Sequence, residues 1–89
     1  MKKAQTQIAF EINVRNTKDF TSEVIIEDQI PVSNQKEISV KLIENTNGEW
    51  DELTGKITWR LKMKPNENKT LKIVYEIHYP SDKILANNR

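Results

Sequence analysis

An 89-residue chain has room for one domain and one core, since a polypeptide this short buries only about 60% of the surface it exposes when unfolded. Fourteen basic and thirteen acidic residues leave a formal charge of +1, with no run of like charge longer than two. That excludes the concentrated basic face that nucleic acid or an anionic membrane surface requires, and the absence of cysteine excludes disulfides, thiolate metal ligands and cysteine nucleophiles together.

The start of the chain, Met1-Lys2-Lys3, carries the charge of a signal peptide, but Ala4-Gln5-Thr6-Gln7 is polar where an apolar region would follow. These residues hold no targeting segment, and the compartment is left open. No apolar run approaches the roughly 20 residues of a membrane-spanning helix, so no membrane insertion is expected. Residues 1–5 are read as a flexible end, as are residues 84–89.

From there the chain alternates. Ile8, Phe10, Ile12 and Val14 are interleaved with Ala9, Glu11, Asn13 and Arg15, which is the two-residue period of a strand with one buried face over residues 6–15. The same period returns at Val24 and Ile26, at Ile38, Val40 and Leu42, at Ile57, Trp59, Leu61 and Met63, and at Leu71, Ile73, Tyr75, Ile77 and Tyr79. β-Branched and aromatic residues are concentrated there. Between these segments lie Asn16-Thr17-Lys18-Asp19, Pro31 with Ser33-Asn34, Asn45 to Gly48, Thr54-Gly55 and Pro65-Asn66-Glu67-Asn68, all turn formers. A short extra strand is expected around Glu49-Trp50-Asp51, with Trp50 closing one end of the core. The count is six or seven strands and no significant helix.

Strands that are apolar on one side must cover that side, and two stacked antiparallel sheets do so. The expected class is all-β: an immunoglobulin-like or fibronectin III-like antiparallel β-sandwich with Greek-key connections, forming a single domain over residues 1–89.

Chemistry-bearing residues are sparse. His78 is the sole histidine and lies out of phase with Tyr75, Ile77 and Tyr79, so it is read as facing solvent. One histidine without cysteine cannot supply a zinc site, and Asn45 to Glu52 lacks the acidic spacing of a calcium loop. No metal or other cofactor is expected. Glu11, Glu23, Glu27, Glu44 and Glu76 are read as a solvated face and not as a glycosidase pair. Asp28 shares the phase of Val24, Ile26 and Ile30, so either it turns inward and is hydrogen-bonded or a bulge near Gln29 flips the phase; the bulge or strand-end reading is favoured because it avoids burying an unpaired carboxylate. Asn68-Lys69-Thr70 matches a glycosylation acceptor, a pattern too short to carry weight.

Two surface patterns remain. Ile25, Ile43 and Val74 are apolar at outward positions, either as scattered exposure or as one contact surface for another domain. Arg60, Lys62, Lys64 and Lys72 are candidates for a basic strip, and Phe20 and Trp50 are the aromatics left in loops; together they form a candidate ligand-binding set. Strand 6–15 also offers an edge for weak homodimer formation by β-addition.

Glu27-Asp28-Gln29-Ile30-Pro31-Val32-Ser33 resembles a segment in the C-terminal part of a bacterial family, domain of unknown function family 4139, the mucoidy inhibitor A-like proteins. Asn13-Val14-Arg15-Asn16-Thr17-Lys18 resembles the family's preceding strand and turn, Leu53-Thr54-Gly55-Lys56-Ile57-Thr58-Trp59 the next strand, and Tyr75-Glu76-Ile77-His78-Tyr79-Pro80-Ser81-Asp82-Lys83 the terminal strand and its exit. The resemblance implies an excised C-terminal β domain of a protein that also carries an N-terminal β domain and a coiled coil. It brings no catalytic residues with it. The functional expectation is a non-catalytic scaffold or protein-interaction module, its partner the rest of the parent or another protein. The alternative is a carbohydrate- or cell-surface-polymer-binding module.

Overall fold

A computed structural model describes residues 3–80. Six antiparallel strands account for most of them: β1 (Lys3–Arg15), β2 (Ser22–Gln29), β3 (Ser39–Glu44), β4 (Glu49–Trp50), β5 (Lys56–Met63) and β6 (Asn68–Pro80). They form two three-stranded sheets, ordered β1-β6-β3 and β2-β5-β4. All described residues lie in strands, turns or irregular structure, in line with an all-β chain.

β1 begins earlier than the alternation suggests. Lys3, Ala4 and Gln5 pair with Pro80, Tyr79 and His78, so the part of the expected flexible end that is described is strand. The reason is tertiary: β6 continues to Pro80 and offers these polar residues backbone partners that local sequence does not reveal. Met1, Lys2 and residues 84–89 lie outside the described residues.

The strand order also departs from an immunoglobulin constant domain, in which the first two strands share a sheet. Here β1 and β2 lie in opposite sheets, and the chain crosses between sheets after β1, β2, β3 and β5. Only β4 and β5 form a simple hairpin within one sheet.

Burial follows the alternation. Val14, Ile57, Trp59, Met63, Leu71, Ile73 and Tyr75, from both sheets, form the buried cluster together with Ile30. Ile8, Phe10, Ile12, Val24, Ile26, Val40, Leu42, Leu61 and Ile77 pack around it. Thirteen paired residues span about 44 Å at 3.4 Å each, whereas the eight of β2 and β5 span about 27 Å. The second sheet therefore covers only part of the first. At the uncovered end Ile77 and Tyr79 are half-buried, and the Thr6 and Tyr79 hydroxyls meet at 3.1 Å.

Three local devices fix the crossings. Asn16 is the one buried polar residue among those described. Its Nδ2 donates to the carbonyls of Phe20, Met63 and Lys64 at 3.0, 3.0 and 3.1 Å, and its Oδ1 accepts from the Lys18 N–H. Because an amide carries two hydrogens, the three carbonyls share them. One side chain thus ties the β1–β2 turn to the β5–β6 turn, where Pro65 is followed by Asn66 at φ 61°.

Thr46 (φ 52°) and Asn47 (φ 62°) adopt left-handed backbone, a costly choice for a β-branched residue. Thr46 offsets that cost with its hydroxyl, which accepts from the Lys72 N–H at 2.7 Å and donates to the Lys72 carbonyl at 3.0 Å. The side chain extends the β3–β6 ladder past the irregularity between Leu42 and Glu44. Gly55 (φ 81°) donates to the Asp51 carbonyl and accepts from the Ile30 N–H, and a Cβ there would collide with the Ile30 carbonyl oxygen.

Candidate functional site

The positions singled out in the sequence are dispersed. Ile25 is exposed on β2 and Ile43 is exposed on β3, in opposite sheets. Val74 has the outward phase but is only 7% exposed. It sits on the central strand of its sheet, with Ala9 of β1 opposite it on one side and Glu44 of β3 on the other. The three aliphatics do not meet in one patch.

The basic residues are likewise divided. Arg60 and Lys62 belong to β5 and Lys72 to β6, and the chain changes sheet between these strands, at the turn that holds Lys64. A continuous strip would require β5 and β6 to be neighbours, which adjacency in sequence suggests and the crossing prevents. Arg60 is engaged with Glu49, its Nε 3.3 Å from the carboxylate, in an exposed pair of little energetic weight.

Phe20 and Trp50 lie at opposite ends of the second sheet. Phe20 precedes Ser22, which pairs with Met63, and Trp50 pairs with Ile57. They cannot stack on one sugar. Phe20 carries the Lys18 ammonium 5.3 Å above its ring. The Trp50 indole N–H is buried with no acceptor among the described residues.

Of the titratable groups singled out, His78 and Glu76 are less open to solvent than their phase suggests, their side chains being 34% and 17% exposed. Asp28 is half-buried next to the last residue of β2; the register with β5 is unbroken there, and its Oδ1 accepts from the Gln29 N–H at 2.7 Å. No bulge forms: Asp28 keeps the phase of Val24 and Ile26, one residue from the strand end, and is hydrogen-bonded. His78 Nε2 lies 3.0 Å from Glu76 Oε1, on the outer face of the first sheet. Ser39 is directly opposite His78 in the register, so serine, histidine and glutamate share a face. Nucleophilic catalysis needs the serine hydroxyl on the ring nitrogen that acts as base. Among the described residues no hydrogen bond joins the Ser39 hydroxyl to the ring, and no group of three or more His, Asp or Glu side chains is placed to hold a metal ion.

A concave surface with aliphatic walls lies elsewhere, where the 30–38 segment passes the tip of the β4–β5 hairpin. Pro31, Val32, Ile38, Val40, Trp50 and Leu53 line a groove of about 450 Å³. Its walls are fixed by backbone bonds. At the tip, Asp51 N–H donates to the Lys56 carbonyl, Gly55 N–H to the Asp51 carbonyl and Leu53 N–H to Asp51 Oδ1, at 2.7–2.9 Å. Across the groove Ile38 N–H donates to the Gln35 carbonyl, and Ser33 and Gln35 close a turn through the serine hydroxyl. Leu53 is 89% exposed on this braced turn, and Val32 is about half exposed beside it. Sequence reasoning missed both. Their only signal was an aliphatic residue inside each turn-forming segment, at Pro31-Val32-Ser33 and Glu52-Leu53-Thr54.

In comparison with known proteins, the model of a family described as "Domain of unknown function (DUF4139)" matches residues 1–81. No curated protein and no solved structure matches the chain.

Proposed function

The chain belongs to the DUF4139 family, and from that premise we propose that it is a non-catalytic interaction module. In this reading it is the C-terminal β domain of a longer, mucoidy inhibitor A-like protein, and its groove receives an apolar segment of the parent's preceding region. Two antiparallel sheets packed on a shared core support an immunoglobulin-like architecture in the broad sense of a sandwich, with a strand order of its own.

The observation that carries the reading is Leu53. A lone exposed leucine on a loose loop is ordinary. This one is held on a hydrogen-bonded turn next to Val32, at the mouth of an apolar groove, so little backbone freedom remains to be lost on binding. Glu52 is the charged residue lining the groove, which favours an apolar segment flanked by lysine or arginine.

The test is sedimentation velocity of the chain mixed with the region that precedes it in its parent. A complex is expected at about 100 μM or below, weakened at least about tenfold by Leu53→Asp while the thermal melt is unchanged. Absence of a complex at that concentration, or equal binding by Leu53→Asp, overturns the proposal.

A further inference from the structure

Each sheet has two edges, and a free edge presents unpaired N–H and C=O groups to any other strand. Three of the four edges are protected by familiar means. β2 carries Glu23, Glu27 and Asp28 within eight residues; β3 carries Lys41 and Glu44 and is irregular between Leu42 and Glu44; β4 is two residues long. β1 is the exception. It is thirteen residues long and regular throughout its register, and residues 4–10, Ala-Gln-Thr-Gln-Ile-Ala-Phe, contain no charge, glycine or proline.

The direction of its free groups follows from the ladder. Asn16, one residue beyond β1, donates its N–H to the Glu67 carbonyl. Antiparallel pairs alternate between bonded and non-bonded, so the even-numbered residues of β1 bond to β6 and the odd-numbered ones face the open edge. Pro80 opposite Lys3 agrees, because a proline cannot complete a doubly bonded pair.

We propose that β1 is a homodimerisation edge, pairing antiparallel with β1 of a second copy about a twofold axis at Gln7. In that register Gln7 meets Gln7, Gln5 meets Ala9 and Lys3 meets Glu11, each as a doubly bonded pair of odd-numbered residues. The two Lys3–Glu11 pairs place opposite charges on the same sheet face, about 5.5 Å apart at Cα. An axis at Ala9 instead opposes Lys3 to Arg15, two like charges, so the charges select the register. The product is a continuous six-stranded sheet, β3-β6-β1-β1-β6-β3, with an isologous interface.

Sedimentation equilibrium of the full chain tests it. The wild type is expected to dimerise reversibly below about 1 mM. Gln7→Pro removes the N–H on the axis without touching the β1–β6 bonds, and Gln7→Lys opposes two lysines there; both are expected to remain monomeric and folded. Lys3→Glu and Glu11→Lys are each expected to weaken the dimer roughly 3- to 30-fold, and the double exchange to restore it. A wild type monomeric at about 1 mM, dimers that persist in Gln7→Lys, or a double exchange no tighter than either single variant overturns the proposal. Leu53→Asp leaves this dimer unchanged, which separates it from docking at the groove.

Discussion

Asn16 shows how much one polar side chain can specify. Its amide serves two turns that are 47 residues apart in sequence, in a place closed to water. Asn16→Ala leaves the Phe20, Met63 and Lys64 carbonyls without this donor and is expected to cost about 2 kcal/mol in urea denaturation. Asn16→Asp is expected to be worse at pH 7, since a carboxylate would face three carbonyl oxygens. Protonation turns it into a donor, so its folded-state pKa lies above the unfolded one. The stability it lacks at neutral pH returns as pH falls, and the gap between the two variants narrows toward about pH 4.

The two tryptophans make a second contrast at this scale. Trp59 is core, with Nε1 donating to the Asn45 carbonyl at 2.7 Å, and Gly48 leaves no room for a Cβ against its ring. Trp59→Phe is expected to cost about 2 kcal/mol, from lost volume and an orphaned carbonyl. Trp50→Phe removes a donor that has no partner, so its effect is expected to stay within about 1 kcal/mol of zero. Equal losses for the two in parallel denaturation curves would contradict this account.

At the scale of elements, strands with one buried face were legible because alternation is a local property. Phe10, Trp59 and Ile73 declare their side of the sheet through their neighbours alone. Sheet membership is not local. Nothing in residues 56–80 states that β5 and β6 part company at Pro65, and for that reason Arg60 and Lys72 looked like neighbours. The burial of Val74 and the Thr46 clamp were hidden for the same reason, since both depend on which strand lies alongside β6. The groove was less legible still, because its apolar residues sit in segments whose composition spells turn. Uneven coverage of β6 has a measurable result: amides of residues 71–75, under the second sheet, are expected to exchange with deuterium far more slowly than those of residues 76–79. Uniform protection along β6 would contradict this.

At the scale of the whole molecule, a long β1–β6 ladder, flanked by β3 along part of its length, is packed against a second, shorter sheet. At one end of the β1–β6 ladder Lys3 is paired with Pro80, and at the other Arg15 is paired with Asn68. A pull applied at Lys3 and Pro80 loads the backbone bonds one after another, as in opening a zipper. A pull between Lys3 and Asn68, at opposite ends of the ladder, loads them all at once. Tension passed through Lys3 and Pro80 therefore meets little resistance and opens the ladder from that end, whereas tension between Lys3 and Asn68 must shear the whole length of it at once.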